Sequence, residues 1–145
     1  YHCFALGDYI SILAKTPGDL IPIVRQYGPA VEAYTWELPA GMLETGEEPV
    51  QSCVRELKEE TGLTAQSVTS LGVYYSYTGR LENRLHAFYV ETSEPAPDFV
   101  PECGMSVRYV TFEALKELIR TGQFQHQLHI AVLLLYDLVL IQQKS

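Results

Sequence analysis

Gly41-Met-Leu-Glu-Thr-Gly-Glu-Glu-Pro-Val-Gln-Ser-Cys-Val-Arg-Glu-Leu-Lys-Glu-Glu-Thr-Gly-Leu63 is the stretch whose reading decides the fold. Pro49 suits the first turn of a helix and Gly62 suits its end, so the spacing predicts a helix from Pro49 to Thr61. Glu56 and Glu60 stand four apart and Glu59 three beyond Glu56, which puts three carboxylates on neighbouring positions of one face. Arg55 can pair with Glu59 at i,i+4, yet surplus negative charge remains where the helix dipole gives it no relief. Val50, Val54 and Leu57 form an apolar i, i+4, i+7 row, expected to anchor the helix to a sheet. Hard divalent cations such as Mg²⁺ take oxygen ligands and bridge carboxylates to phosphates, which such a helix could serve. On charge spacing alone a solvated acidic face is the ordinary reading; the flanking pattern decides against it.

Around this stretch lies a chain of 145 residues, 47% hydrophobic and 19% charged, the make-up of one packed domain spanning residues 1–145. Eighteen acidic residues against ten basic ones leave a net charge of −8, which argues against wrapping nucleic acid; a phosphate-bearing ligand must be met by a metal or by a few placed arginines. Cys3, Cys53 and Cys103 form no CxxC pair, so packing roles and a reducing, cytoplasmic compartment are expected. Ile130 to Ile141 is too short to span a membrane and contains Asp137. The chain starts at Tyr1 rather than Met, and an upstream segment is expected to be missing from it.

Short β-favouring runs at Tyr9–Ala14 and Leu20–Val24, joined by Thr16-Pro-Gly-Asp19, predict a hairpin with a type II turn. Further strands are expected at Tyr34–Leu38, Val68–Tyr77, Leu85–Glu91 and Val107–Val110. Thr111 is the expected N-cap of a second helix that stops at Gly122. A third helix, Leu128 to Gln142, is apolar nearly all round and is expected to be deeply buried or shared with a partner chain. This order without strict βαβ alternation predicts an α/β or α+β sandwich built on a mixed sheet.

Gly41, Glu47, Arg55, Glu56, Leu57, Glu59, Glu60, Gly62 and Leu63 fit every fixed position of G-x5-E-x7-R-E-U-x-E-E-x-G-U, and the chain thereby resembles the Nudix family. The resemblance implies a mixed β-sheet sandwiched between helices (α/β/α), with the box as a catalytic loop–helix–loop, and hydrolysis of a nucleoside diphosphate linked to another group with Mg²⁺ or Mn²⁺. It implies that Glu56 and Glu60 bind metal directly, that Glu59 is a further ligand or a ligand through water, and that the carbonyl of Ala40 adds one more. It further implies that Arg55 orients Glu59, that Glu47 braces the loop, and that Gly41 permits a close backbone approach.

Trp36-Glu37-Leu-Pro-Ala-Gly41 and Val24-Arg-Gln-Tyr-Gly-Pro-Ala-Val31 are similar to segments of ADP-ribose pyrophosphatases and related nucleotide-sugar hydrolases. Where many of these read Arg-Gln-Tyr-Arg this chain has Gly28, and Ser76-Tyr-Thr-Gly79 stands in place of a Ser-Pro-Gly turn. Arg25, Arg80 and Arg84 are candidates for phosphate or sugar contacts, Tyr27, Trp36, Glu37 and Gly41 are further candidate substrate-binding residues, and the apolar last helix suggests a homodimer, which is common in the subgroup the chain resembles. Glu102 is the best positional match for a general base from a loop past the box; Glu94 and Asp98 are alternatives. The aromatics Tyr27, Tyr34 and Trp36 suit either a purine or the core. His126 and His129, spaced i,i+3, are expected to mark a polar helix start rather than a metal pair. Three functions stay open: hydrolysis of ADP-ribose or a similar nucleoside diphosphate sugar; hydrolysis of nucleoside triphosphates, dinucleoside polyphosphates or coenzyme A; and non-catalytic nucleotide sensing.

Overall fold

A computed structural model describes residues 6–142. Strands β1 (Tyr9–Lys15), β2 (Ile21–Gly28), β3 (Ala33–Glu37) and β4 (Ala40–Met42) precede helix α1 (Pro49–Thr61). There follow β5 (Ala65–Tyr75), β6 (Arg84–Thr92), β7 (Ser106–Val110), α2 (Phe112–Arg120) and α3 (Gln127–Tyr136), which continues as a π-helical turn over Asp137–Ile141. A mixed four-stranded sheet runs β4-β1-β6-β5, with β1 and β6 parallel, and a second, antiparallel sheet runs β3-β2-β7. The mixed α+β sandwich expected from the sequence is thus present. No helix among the described residues is long and apolar enough to cross a membrane.

Strands β1 and β6 are buried on both faces, which is why they read as nearly continuous apolar runs. Ile10, Ile12 and Ala14 with Phe88 and Val90 pack against Cys53, Leu57 and Leu63 of the α1 segment. On the opposite face Leu13, Leu85, Ala87 and Tyr89 join Ile21, Ile23 and Leu38 and the residues of α2 and α3, among them Leu115, Val132 and Leu133. Helix α1 is therefore clamped to one face of the sheet while its acidic side stays clear.

The predicted hairpin is overturned: β1 and β2 lie in different sheets. The turn between them is real, with the Asp19 N–H donating to the Thr16 carbonyl at 2.9 Å, but Asp19 rather than Gly18 takes the left-handed conformation, φ 60°. A turn reverses the chain without choosing which edge each strand pairs along. The anchoring row of α1 also differs: Val50 and Val54 are exposed, and Ser52, Cys53, Leu57 and Thr61 go inward. Burying Cys53 instead of Val54 rotates the helix so that Glu56 and Glu60 meet the backbone of β4. Cys103 is exposed, against the packing role expected for it, and Cys3 lies outside the described residues.

Helix α1 has the bounds the sequence predicts. Gln51 accepts from the Glu48 N–H at 2.9 Å at its start, and Gly62 closes it in the left-handed region, φ 74°, its N–H donating to the Lys58 carbonyl. A Cβ on Gly62 would stand 2.5 Å from Cγ of Phe99. Gly62→Ala is accordingly expected to lower stability by roughly 2 kcal/mol, half from the left-handed backbone and half from displacing Phe99. An unfolding free energy, taken from denaturant titration, that falls by less than a quarter of that would contradict the account.

Candidate active site

Arg55 organises the loop–helix segment. Its Nε donates to Glu47 Oε2 at 2.7 Å and its Nη2 to Glu47 Oε1 at 3.0 Å, a two-pronged clamp, while Nη1 reaches Glu56 Oε1 at 2.9 Å and Glu59 Oε2 at 3.1 Å. Glu47 in turn accepts from the Glu44 N–H at 3.0 Å, so one guanidinium joins the loop to the helix. The hydrogen bond from Arg55 holds the Glu47 carboxyl down at about 2.

Opposite this clamp, β4 presents its backbone. The Ala40 N–H donates to Glu60 Oε2 at 3.2 Å, and a Cβ on Gly41 would fall 2.2 Å from Glu56 Oε1. The cradle for the Glu56 carboxylate exists because residue 41 has no side chain. Burial pushes the Glu60 carboxyl up to about 8, against the Ala40 N–H and with help from the fields of Glu56, Glu37 and Glu59. Burial likewise raises Glu56, outweighing its bond to Arg55. Among the described residues Glu56 Oε2, Glu59 Oε1 and Glu60 Oε1 have no protein partner. Glu56 and Glu60, which resist ionisation, together with the spare oxygen of Glu59, are the donor set a hard divalent cation stabilises. The residues therefore fit Mg²⁺ or Mn²⁺.

The remaining candidates are spread more widely. Cross-strand register puts Arg25, Tyr27, Tyr34 and Trp36 on one face of β2 and β3, and Gln26, Thr35 and Glu37 on the other. Arg25 lies over the Tyr34 ring at 4.7 Å and Tyr27 meets Tyr34 edge-on at 5.5 Å, with both tyrosines about half exposed, whereas Trp36 packs against the core. Glu37 accepts from Gln26 Nε2 at 2.8 Å and Thr35 Oγ1 at 3.1 Å. It lines a cavity of about 580 Å³ between the β2–β3 turn and the segment entering α3, together with Tyr34, Gln125 and His126. Arg80 is exposed in the turn after β5. Glu102 is exposed too, in the turn before β7, at the end where Ser106 pairs with Arg25.

The two histidines are more than helix-start polarity. His129 is fully buried, and the His126 ring stacks on it at 3.6 Å with 10° between the planes. Donor atoms of Glu37, His126 and His129 lie within 4.8 Å of one another. The group is nevertheless unsuited to a metal, because stacked parallel rings direct their lone pairs side by side instead of at one point, and His129 Nδ1 already accepts from the Leu38 N–H at 3.1 Å. The sequence signal for this residue was a histidine inside an otherwise apolar helix.

Fold and site together define a protein with an acidic loop–helix–loop seated on the edge of a mixed sheet. The NUDIX domain profile matches residues 10–131, and the chain belongs to the Nudix family. It is 39% identical over 82 residues to the ADP-ribose pyrophosphatase of Bacillus subtilis (strain 168), covering 57% of this chain and 44% of that protein. It is 31% identical over 80 residues to the ADP-ribose pyrophosphatase of Saccharomyces cerevisiae, covering 55% and 35%. The chain thus spans less than half the length of these curated relatives. A crystal structure of an ADP compounds hydrolase shares the fold with a TM-score of 0.78 at 19% identity, over 94% of this chain and 74% of the other.

Proposed function

We propose that the chain hydrolyses the diphosphate linkage of ADP-ribose or a similar nucleoside diphosphate sugar, releasing a nucleoside monophosphate and a sugar phosphate. The observation that carries this reading is the pair Glu56 and Glu60, seated against Ala40 and Gly41 and steadied by the Arg55–Glu47 clamp. Relatives named as ADP-ribose pyrophosphatases support the substrate class. Glu56, Glu59 and Glu60 with the Ala40 carbonyl would hold Mg²⁺ or Mn²⁺. Bound there, such a cation would neutralise the diphosphate and acidify an attacking water.

The chain's own groups do the rest. Arg55 keeps Glu56 and Glu59 aimed at the site, and Glu59 or Glu102 receives the proton. Arg25 and Arg80 bind phosphate or sugar oxygens, Tyr27 offers a flat face to the base, and Glu37 takes sugar hydroxyls. Leu134, Leu138 and Ile141 remain exposed on the last helical segment, which supports a homodimer, and the free thiols of Cys53 and Cys103 suit a cytoplasmic setting.

The test is turnover with Mg²⁺ across ADP-ribose, other nucleotide sugars, dinucleoside polyphosphates, coenzyme A and nucleoside triphosphates. ADP-ribose or another nucleoside diphosphate sugar is expected to be cleaved fastest. Preference for a triphosphate or coenzyme A would displace the substrate, and inertness toward all would leave a binding module.

A further inference from the structure

Between β3 and β4 the chain turns a corner at Leu38-Pro39-Ala40, and each of the three residues is held by a different element. The Leu38 N–H donates to His129 Nδ1 on α3 at 3.1 Å. The Pro39 carbonyl accepts from the Ile12 N–H on β1 at 2.9 Å. The Ala40 N–H donates to Glu60 on α1 at 3.2 Å. Two of these anchors belong to the sheet and to the acidic helix; the third is a single ring from the far side of the core.

The chemistry of that ring is fixed by its partners. A backbone N–H can only donate, so Nδ1 carries a lone pair and the imidazole proton sits on Nε2, directed at the Tyr9 hydroxyl. Full burial and the neighbouring His126 keep the imidazole neutral, well below its usual range, which preserves the Nδ1 acceptor. Tyr9 opens β1 and pairs with Met42 of β4. His129 therefore grips the corner at Leu38 and, through Tyr9, the strand alongside β4. His126, stacked on the ring, covers one of its faces.

We propose that His129 is a positioning residue that, through its hydrogen bond to Leu38, fixes the corner from which Ala40 offers its N–H to Glu60 and its carbonyl to the divalent cation. The last helix thereby sets the affinity of a site it does not touch. This rests on the cation site described under the proposed function. Groups that orient metal ligands without binding the metal commonly change affinity by ten- to a hundredfold, so the effect should be measurable.

The experiment titrates Mn²⁺ into metal-free protein without substrate and follows free Mn²⁺ by electron paramagnetic resonance. In His129→Asn the amide oxygen replaces Nδ1 as acceptor, whereas in His129→Gln the oxygen falls near the Nε2 position and misses Leu38. The glutamine variant is expected to bind Mn²⁺ about tenfold more weakly than the parent, and the asparagine variant within roughly threefold of it. A residue that only fills space gives the opposite order, since glutamine is closer to histidine in volume; that order, or parental affinity in both, overturns the proposal. Tyr9→Phe, which deletes one hydroxyl, serves if the histidine variants fail to fold: weaker Mn²⁺ binding supports the relay and unchanged binding refutes it. Glu56→Gln is the control for the cation site, and parental Mn²⁺ binding there would remove the site reading itself, independently of His129.

Discussion

Glu60→Gln is expected to melt at a higher temperature than the parent in metal-free buffer at about pH 8 while losing turnover on the order of 10³-fold. The two effects share one origin. In the folded protein burial raises the Glu60 carboxyl from 4.5 to about 8, so the folded state holds a proton that the unfolded chain has released. Stability is then highest below about 4.5 and is lost as pH rises toward about 8, beyond which the full cost of burying the charge is present. Glutamine carries no such charge and can keep the bond from Ala40. The melting curves of parent and variant should converge in acid and separate with rising pH, by about 2 kcal/mol once partial hydration of the site is allowed for. Added Mg²⁺ should stabilise the parent and leave the variant unmoved, because only the parent gains from binding. A variant that melts earlier at every pH, or that retains turnover, would refute the assignment of Glu60 as a strained metal ligand.

Gly41→Ala tests the other half of the site and separates folding from function. Gly41 does not occupy the left-handed region, so alanine costs the backbone little. Its methyl group would instead stand 2.2 Å from Glu56 Oε1 and 2.3 Å from Cδ. A carboxylate at the end of a flexible side chain can swing away, so stability should change by less than about 1 kcal/mol. The displaced carboxylate, whose Oε2 would also lie only 2.8 Å from the methyl group, belongs to a proposed metal ligand, and turnover at limiting Mg²⁺ is expected to fall roughly 100-fold, with partial recovery at high Mg²⁺. Metal-activation curves beside thermal melts decide the matter, and a variant activated at the parental Mg²⁺ concentration would show that Glu56 does not need this cradle.

Local signals in the sequence were clear wherever a residue acts on its near neighbours. Helix α1 runs between its proline and its glycine, Thr111 caps α2 through a bond from the Ala114 N–H, and Arg55 pairs with Glu59 as the i,i+4 spacing requires. Long-range choices were not legible. Pro17-Gly18 marks a reversal, but whether β1 then pairs with β2 or with β4 and β6 depends on strands far along the chain. Val54 is as apolar as Cys53, and only the sheet beneath decides which one turns inward. Strand β4 has three residues, below the length at which alternation can be read. Alternation along β3 could have separated Glu37 from Trp36, whereas the bond from Leu38 to His129 joins residues brought together only by the finished fold.

The parallel pairing of β1 with β6 has a bearing on how the protein is made. Tyr9 finds Leu85, and Lys15 finds Glu91, so β1 leaves the ribosome well before β6, its parallel partner. Until then Ile10, Ile12, Leu13 and Ala14, all fully buried at the end, are exposed to the cell. Neither half of the core can close early, because both are built on this strand. Synthesis therefore passes through a stage in which a sticky segment waits for its match, the stage at which chaperone holding and slow, late collapse govern the yield of native protein.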